Sequence, residues 1–321
     1  MRFSVIIPLH NAEATLRETL ASVAAQTHPP AEVIMVDDGS ADRSADIARA
    51  FVFPEGVRVK VLSSGARNAA ETRNIGIREA SGDWIALLDA DDLWEPTHLE
   101  HAAGVLAHSD AVAFMANHVW LTEKDGRHPI PDGLRAQLDE TSASLPAARF
   151  VEELARQFHF GHSTVIYRRD RLLEAGLFNP EQKRRHDIEL WLRVLAGRTW
   201  GWDARIHAAY RIDTPGSISK SVVECENYYL RALLRHKEAY AGPAMDHLLR
   251  THARRAMSMS FVDGTPALFR EARSLGAAHV PASFRAVYRV AALCPGLLRM
   301  AIGLKRRWIW RNAGKAAPPH A

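Results

Sequence analysis

Carboxylates cluster in one short stretch of the chain, "WIALLDADDLWEP", which runs from Trp84 to Pro96. Asp89, Asp91 and Asp92 follow directly on an apolar run that is typical of a buried strand. Several negative charges at the end of one strand are costly unless a cation compensates them. Two carboxylates spaced as Asp-x-Asp suit a hard divalent cation, because they supply oxygen ligands and leave positions open for phosphate oxygens and water. The stretch indicates a Mg²⁺ or Mn²⁺ site that would carry a nucleoside diphosphate, although an isolated Asp-x-Asp is more often a solvated turn.

Further polar groups follow two earlier apolar runs. Pro8, His10 and Asn11 come after the first run, and Asp37-Asp38-Gly39-Ser40 comes after the second. In a parallel sheet the carboxyl ends of the strands lie along one edge, so these groups and the later acids are expected to converge. A single "DDGS" would be interpreted as an Asx turn before a helix. Here it is one of three aligned groups, which favours a shared binding site.

Arg73, in "ETRNIG", lies on the predicted helix that precedes the acidic strand end. From that position a guanidinium can reach a base, a ribose or a phosphate. An arginine on a helix surface is more often simply solvated, so the residue type alone leaves both interpretations open.

Strand and helix patterns alternate four times in the first hundred residues. Short β-branched or apolar runs bounded by turn residues predict strands, and the segments between them carry apolar residues at helical spacing. This alternation predicts an α/β fold with a doubly wound, mostly parallel sheet whose ligand lies beyond the carboxyl ends of the strands. The four predicted strands are residues 3–7, 32–36, 57–62 and 84–88.

The rest of the chain is less regular. Residues 118–134 predict a hairpin or a loop excursion, 146–158 a helix, and 163–178 a strand followed by a short helix. Residues 187–196, "DIELWLRVLA", place apolar side chains on one helical face directly after a polar loop. From residue 222 to 260 the pattern is again helical.

The composition excludes several classes of protein. With 321 residues, 47% hydrophobic and 24% charged, the chain is typical of a globular protein. Cys225 and Cys294 are far apart and form no CxxC or Cys/His cluster, so neither a disulfide framework nor a structural zinc site is predicted. The first apolar run stops at Pro8 and is too short for the core of a signal peptide. These features favour the cytosol.

The sixteen histidines and eight tryptophans are predicted to be mainly structural. Histidines such as His101 and His162 show no metal-ligand spacing of the HExxH kind, and they are expected at the surface or hydrogen-bonded in the core. Trp94 and Trp191 adjoin the predicted site and could stack on a sugar, but core packing is the commoner use of a tryptophan.

Basic charge is concentrated at the C-terminal end. No acidic residue follows Glu271, whereas nine basic residues do, which argues against a nucleic-acid-binding body and predicts a local basic patch for an anionic surface. Residues 286–304 are apolar but contain Arg289, Pro295 and Arg299, which disfavours a membrane-spanning helix and favours an interfacial one. The alternative is a terminal helix packed on the body with a solvated basic end.

Residues 3–48 and 69–96, which contain all of these strand-end groups, resemble the nucleotide-sugar-binding half of family 2 glycosyltransferases with the GT-A fold. The similarity is nearly continuous from Phe3 to Leu99 and continues more loosely to Ser219. The resemblance implies three parts. These are a nucleotide-sugar-binding half over 1–108, an acceptor-side half over 109–220, and a helical C-terminal extension with a basic tail over 221–321.

The resemblance also implies roles for individual residues. Asp38 would accept a hydrogen bond from the nucleobase, in a pocket lined by Pro8 and supported by Asp37. Asp91 would bind the cation, with Asp89 and Asp213 as further candidate ligands. The residues implied in nucleotide-sugar binding are Pro8, Asn11, Asp37, Asp38, Arg73 and Asp89.

On the acceptor side, the family pattern is an acidic pair ahead of a "LWLR"-like helix. This chain has His186-Asp187 followed by "IELWLR", so the second acid is kept and the first is replaced. The resemblance implies that Asp187 is the general base. In "YRIDTPGSIS", Asp213 stands where the family often has histidine, and either a ligand role or a structural role fits it.

The predicted function is that of a metal-dependent inverting glycosyltransferase in the cytoplasm or at the inner face of the cell membrane. A UDP-sugar is the expected donor, with dTDP- and GDP-sugars as alternatives, and the acceptor is a saccharide or glycolipid of cell-envelope polysaccharide synthesis. A nucleotidyltransferase would need a Gly-rich, Lys/Arg-bearing loop after the first strand, where this chain has "PLHNAEATL". A binding module without activity would need no general base.

Overall fold

The structure is a computed structural model that describes residues 1–213, 222–262 and 265–291. The chain divides into two compact units, Met1–Pro215 and Gly216–Ala321. The assignment of separate functional parts to residues 1–108, 109–220 and 221–321 stays a prediction.

The N-terminal part of the first unit alternates strand and helix. β-Branched and apolar residues make up its central strands, which are buried on both faces, as expected where helices cover a parallel sheet. Each predicted strand is present, with ends within three residues of the predicted ones. The elements are β1 (Phe3–Leu9), α1 (Leu16–Ala24), β2 (Glu32–Asp37), α2 (Ser44–Ala50), β3 (Arg58–Ser63), α3 (Ala69–Glu79) and β4 (Trp84–Leu87).

The remainder of the first unit extends the same sheet and adds four helices. The predicted hairpin, the two helices and the strand that leads into a short helix are all present. The elements are β5 (Leu93–Trp94), α4 (His98–Leu106), β6 (Ala113–Thr122), β7 (Gly126–His128), β8 (Ser142–Pro146), α5 (Ala147–Ala155), β9 (Ile166–Arg168), α6 (Arg169–Glu174), α7 (His186–Leu195) and β10 (Thr199–Arg211).

In the described residues ten strands form one sheet in the order β3-β2-β1-β4-β9-β6-β10-β5, with β7 beside β6 and β8 beside β10. The pairs β1–β2, β1–β4, β2–β3 and β6–β10 are parallel, whereas β9 runs antiparallel between β4 and β6. Strands β1 to β4, β6 and β10 consequently share one direction. The prediction of a mostly parallel sheet flanked by helices is confirmed.

Parallel pairing places the ends of several strands at one edge of the sheet. Leu9, the last residue of β1, lies opposite Asp37, the last residue of β2. Strand β10 ends at Arg211, whose backbone amide donates to Asp92 Oδ1 at 2.8 Å. This edge, called the rim below, is formed by the loops that follow β1, β2 and β4 and by the end of β10.

Helix α3 packs closely against the sheet. A Cβ atom on Gly76 would lie 2.6 Å from Ile6 Cγ2, so this close approach requires glycine. Asn68 caps the helix, because its side-chain oxygen accepts hydrogen bonds from two amides of the first turn. The cap and the close packing together fix the helix that carries Arg73.

The second unit is helical in its described residues, and helix α9 packs against α8 and α10. Its buried interior includes His252, whose Nδ1 lies 2.7 Å from Glu226 Oε2. None of the described helices is both long enough and apolar enough to cross a membrane. Residues 292–304 of the predicted interfacial segment, and the basic residues after them, lie outside the described residues. The helices are α8 (Val222–His236), α9 (Pro243–Val262), α10 (Pro266–Gly276) and α11 (Ala282–Ala291).

Candidate functional site

The acidic loop of residues 89–92 is held in place by helix α1. The hydroxyl groups of Thr15 and Thr19 donate to the Ala90 carbonyl oxygen at 2.9 and 3.0 Å. Thr19 also donates to the Asp92 carbonyl oxygen at 2.9 Å. The backbone that carries the three predicted carboxylates is therefore rigid, as a binding site for a cation requires.

Asp92 is a structural acid. Its side chain is fully buried, with the Ser163 hydroxyl donating to Oδ2 and the Arg211 amide donating to Oδ1. Burial raises the pKa of Asp92 well above its usual value, and the charges of Asp91 and Asp89 raise it further. Asp92 thus ties the turn before β9 (residues 162–164) and the end of β10 to the acidic loop rather than offering oxygens to a ligand.

Asp89 has a protein counter-charge. It forms an ion pair with Arg73, whose side chain is almost fully buried. Burial opposes ionisation, but the Arg73 guanidinium holds the pKa of Asp89 below its usual value. Arg73 Nη1 also donates to the Ala69 carbonyl oxygen and to His186 Nε2, both at 3.2 Å. Arg73 is therefore not a solvated surface residue: it links the acidic loop to the start of α7.

Asp91 is partly exposed at the rim, and its carbonyl oxygen accepts from Arg211 Nε at 3.0 Å. Asp91 and Asp89 together present carboxylate oxygens, which are the ligands that Mg²⁺ and Mn²⁺ prefer. Partial exposure leaves access for the remaining ligands of such a cation. The donor set and its position therefore fit the predicted cation.

The Asp38 carboxylate organises the loop between β3 and α3. Its Oδ1 accepts from the Ser64 hydroxyl at 2.6 Å and the Arg67 amide at 2.7 Å, and Oδ2 accepts from the Asn68 amide at 2.8 Å. Burial opposes ionisation, but these hydrogen bonds hold the pKa of Asp38 below its usual value. A carboxylate oxygen has room for two donors, so Oδ2 can accept a further N–H from a nucleobase.

The other predicted donor-binding residues lie beside Asp38. Pro8 pairs with β2 in the parallel register and is partly exposed. Asn11 donates its backbone amide to Ser40 Oγ at 3.0 Å, and its side-chain oxygen accepts from the Ala41 amide at 2.8 Å. Asp37 Oδ1 accepts from the Ser40 amide at 3.3 Å. These residues join the ends of β1 and β2, so the structure brings the predicted base pocket together.

Asp187 is the second residue of α7 and is partly buried. Its Oδ1 accepts from the Ile188 amide at 2.8 Å. The N-cap position is taken by Arg185, which has a left-handed backbone with φ 53° and no side-chain capping bond. Burial opposes ionisation of Asp187, but neighbouring basic groups and the Ile188 amide hold its pKa below the usual value. Asp187 is thus a carboxylate near a helix N-terminus without being the cap.

Tyr210 indicates that Asp187 and the acidic loop belong to one region. Burial raises the pKa of Tyr210 above its usual value, and four carboxylates raise it further. Arg73, which pairs with Asp89 and donates to the residue before Asp187, links the same two parts, and the effect on Tyr210 indicates that all four carboxylates lie near one phenol group. In order of effect they are Asp92, Asp89, Asp91 and Asp187.

His162 was predicted from the sequence to be a structural histidine outside the site. It is buried and stacks on Trp191 with ring centroids 6.3 Å apart. Burial and Arg73 lower its pKa, while Asp89 and Asp187 oppose that change. Its ring centroid also lies 6.3 Å from that of His186, the residue before Asp187. Neither ring nitrogen has a hydrogen-bond partner among the described residues. His162 therefore differs from the surface or hydrogen-bonded core group that was expected.

Asp213 lies at a different part of the rim. Its exposed carboxylate accepts from the Glu123 amide at 2.8 Å, in the turn between β6 and β7. In the described part of the chain it does not form a group of three ligand atoms with Asp89 and Asp91. The hydrogen bond favours the structural interpretation, and its metal role stays a prediction.

His186 supplies the acceptor for Arg73 at the position where the family pattern has an acid. Burial and the Arg73 charge lower the pKa of His186 to about 3, so its ring is neutral and Nε2 can accept from the guanidinium.

We expect His186→Leu to lower the free energy of unfolding by about 1–3 kcal/mol, because a buried charged donor loses a partner. His186→Gln retains an acceptor and is the control, and urea unfolding measures both. Equal stability of the two variants would contradict this role.

Comparison with known proteins identifies the family. Residues 4–177, more than half of the chain, match the model for glycosyl transferase family 2. The glycosyltransferase GlyG of Streptococcus pneumoniae is 28% identical over 71% of this chain and 69% of GlyG. The poly(ribitol-phosphate) β-N-acetylglucosaminyltransferase TarS of Staphylococcus aureus is 27% identical over 60% of this chain and 32% of TarS.

Two solved structures share the fold. TarS residues 1–349 in complex with UDP-GlcNAc superimpose with a TM-score of 0.69 and 19% identity, over 89% of this chain and 83% of that one. The mannosyltransferase PcManGT of Pyrobaculum calidifontis, in complex with GDP-Man and Mn²⁺, gives a TM-score of 0.56 and 16% identity, over 91% of this chain and 80% of that one. The family match, together with this shared architecture, shows that the chain belongs to glycosyl transferase family 2 and is a glycosyltransferase with the GT-A fold.

Proposed function

We propose that the chain is an inverting, cation-dependent transferase that moves a sugar from a UDP-sugar to a hydroxyl group of a saccharide or glycolipid in cell-envelope polysaccharide synthesis. The observation that carries the proposal is that Asp38 and the acidic loop follow parallel strands at one edge of the sheet, while Arg73 links Asp89 to His186, the residue before Asp187. The UDP-GlcNAc complex of TarS supports the donor class, and poly(ribitol-phosphate), which the name of TarS gives as its acceptor, supports an envelope polymer.

The donor half of the site has two tasks in this proposal. Asp38 accepts from the base in the pocket beside Pro8, and Asp91 with Asp89 holds a Mg²⁺ or Mn²⁺ ion. The bound ion supplies charge neutralisation for the leaving diphosphate. The Mn²⁺ in the PcManGT complex supports a divalent cation. Arg73 compensates the negative charge of Asp89, so Asp89 is ionised and oriented before any ligand binds.

The acceptor half provides the base. A hydroxyl group is a weak nucleophile at neutral pH unless a carboxylate takes its proton as the new bond forms. Asp187 is ionised at neutral pH, and the residue before it, His186, accepts from the same Arg73 that pairs with Asp89. Inversion follows if the acceptor attacks opposite the leaving diphosphate.

A nucleotidyltransferase and a binding module without activity are the alternatives to this function. A nucleotidyltransferase needs phosphate-binding amides and basic side chains after β1, where this chain has Asn11 bonded to Ser40 and Ala41. A binding module without activity would not cleave its donor. A transferase often hydrolyses its donor slowly without acceptor, so release of free sugar from the bound nucleotide sugar separates the two.

A thermal-shift experiment tests the donor class. We expect UDP and UDP-GlcNAc to raise the melting temperature of the full chain when Mn²⁺ is present, because a ligand that binds only the folded state stabilises it by mass action. At a hundred times the dissociation constant the gain is about 2.7 kcal/mol. GDP, dTDP and UMP, each with and without Mn²⁺, are the comparison arms. The proposal fails if no nucleoside diphosphate changes the melting temperature under either condition.

The basic charge at the C-terminal end suggests a second partner, an anionic membrane surface. We propose that residues beyond 291 hold the enzyme at an anionic membrane surface through Lys305, Arg306, Arg307 and Arg311. Truncation after residue 291 keeps α11, whose Tyr288 hydroxyl lies 2.7 Å from Ser258 Oγ. We expect the truncated chain to lose flotation with anionic liposomes and the full chain to float. Equal flotation of both chains would contradict the proposal.

A further inference from the structure

A second group of possible metal ligands lies on α4 and β10, and none of its members belongs to the candidate transfer site. His101, Asp203 and His207 each offer one ligand atom, and these three atoms lie within 4.8 Å of one another. Asp203 and His207 are buried, whereas His101 is partly exposed. Residues so far apart in sequence give no recognisable spacing, which explains why the sequence alone did not indicate a site.

The backbone of β10 is irregular at this point. Two register shifts interrupt its pairing with β6 between Asp203 and Ala208. Such bulges re-aim side chains and are common next to functional sites. His207 Nε2 lies 3.1 Å from Asp203 Oδ2. His207 is 1% exposed and Asp203 is fully buried, so the two side chains face each other away from solvent.

His98, on α4, completes the support of His207. The Nδ1 atoms of the two rings are 2.9 Å apart, so one of them must donate to the other. When His207 Nε2 binds a metal ion it must be unprotonated, so His207 Nδ1 then carries the proton and donates it to His98 Nδ1. A metal-binding histidine typically has this arrangement, with its second N–H held by a neighbouring acceptor.

The guanidinium of Arg205 already contacts this group of possible ligands. Arg205 donates to both oxygens of Asp203 at 2.6 to 3.1 Å, and its Nη1 donates to His101 Nε2 at 3.0 Å. A guanidinium cannot lose its proton, so the lone pair of His101 Nε2 points into the group. The Arg205 side chain is 54% exposed, so it can move into solvent when a metal ion replaces it as the counter-charge of the buried Asp203.

We propose that His101, Asp203 and His207 form a Zn²⁺ site that joins α4 to β10, with Arg205 covering it in the metal-free state. Two imidazoles and one carboxylate suit Zn²⁺, with water as a fourth ligand, whereas Mg²⁺ prefers oxygen ligands alone. The 3.1 Å between His207 Nε2 and Asp203 Oδ2 is close to the roughly 3.3 Å between two ligands of a tetrahedral ion with bonds of about 2.0 Å. Side-chain rotation of the more exposed His101 closes the remaining gap.

Isothermal titration of the full chain with Zn²⁺ tests the site, with bound metal counted after dialysis. We expect the wild-type chain to bind one Zn²⁺ at this site, and His101→Ala to weaken that binding on the order of 100-fold or more, since even the loss of a supporting residue typically costs 10–100-fold. Arg205→Met removes the competing cation and should bind about tenfold more tightly. Excess Mg²⁺ should not displace the bound ion.

Three results would overturn the site. These are Zn²⁺ affinity unchanged by His101→Ala, affinity unchanged or weakened in Arg205→Met, and displacement of Zn²⁺ by Mg²⁺. Both substituted residues are partly or largely exposed, so the variants are expected to fold, and melting curves recorded without metal check this. Because the readout is metal binding rather than transfer, the test is independent of the function proposed for the rim.

Discussion

Asp187→Asn should lose on the order of 10²–10⁴ in turnover while it keeps donor binding and thermal stability. The loss in turnover is expected because asparagine has nearly the same size as aspartate but lacks the basic carboxylate that takes the proton of the acceptor hydroxyl. The fold should survive because asparagine can still accept the hydrogen bond that Asp187 Oδ1 takes from the Ile188 amide. Initial rates with a UDP-sugar donor and a melting curve measure the two effects.

A matched control is available on helix α6. Asp170 lies in the first turn of that helix, and its Oδ1 accepts from the Arg171 amide at 2.7 Å, the same local hydrogen bond that Asp187 makes. Asp170 is exposed and pairs with Arg168, away from the candidate site. Asp170→Asn should therefore leave turnover unchanged. Near-wild-type transfer by Asp187→Asn, or a product that retains the anomeric configuration of the donor, would falsify the role as base in an inverting reaction.

The alternating half of the fold was predictable because its signals are local. Each central strand is a short apolar run, and parallel neighbours in a doubly wound sheet follow from the intervening helices. The convergence of Asp38 and Asp91 at one rim follows from the same rule, since both come after parallel strands. Local pattern and topology agree here, so few alternatives remain.

Strand β10 was not predicted, although it is 13 residues long and pairs with β5, β6 and β8. It carries Asp203, Arg205 and His207 among its apolar residues, and its two register shifts break the regular alternation that identifies a strand. The antiparallel direction of β9 also depends on long-range pairing with β4 and β6. No local signal records either feature.

The acidic residues of the site show the same contrast between what local sequence patterns predict and what only the folded structure reveals. The sequence predicted three acids in need of a counter-charge, and the structure gives each a different environment. Arg73 pairs with Asp89, and Asp92 is buried under hydrogen bonds from Ser163 and Arg211. These partners lie 16 to 119 positions away along the chain, so only the folded structure reveals them. Tyr210 and Arg211 lie in the stretch "YRIDTPGSIS", which resembles a segment of the family. That resemblance alone does not reveal their contacts with the acidic loop.

Asp91→Asn should reduce transfer on the order of 10³-fold or more and abolish the Mn²⁺-dependent part of UDP binding. A cation that neutralises the leaving diphosphate is worth several kcal/mol in the transition state, and each 1.36 kcal/mol is a factor of about ten in rate. Asparagine keeps the size of the side chain but loses the negative charge. The fold should remain intact, because the loop is held through the carbonyl oxygens of Ala90 and Asp92 and through the Asp91 backbone.

Asp213→Asn is the comparison that separates the candidate ligands. The Asp213 carboxylate accepts from the Glu123 amide, and an asparagine oxygen can accept the same bond, so this variant should keep both Mn²⁺ dependence and transfer. Titration of UDP by calorimetry, with Mn²⁺ and with EDTA, gives the cation-dependent difference for each variant. If that difference is unchanged in Asp91→Asn but lost in Asp213→Asn, the ligand assignment at the rim must be reversed. If it persists in both, the cation is held elsewhere and the acidic loop serves only to position Arg73.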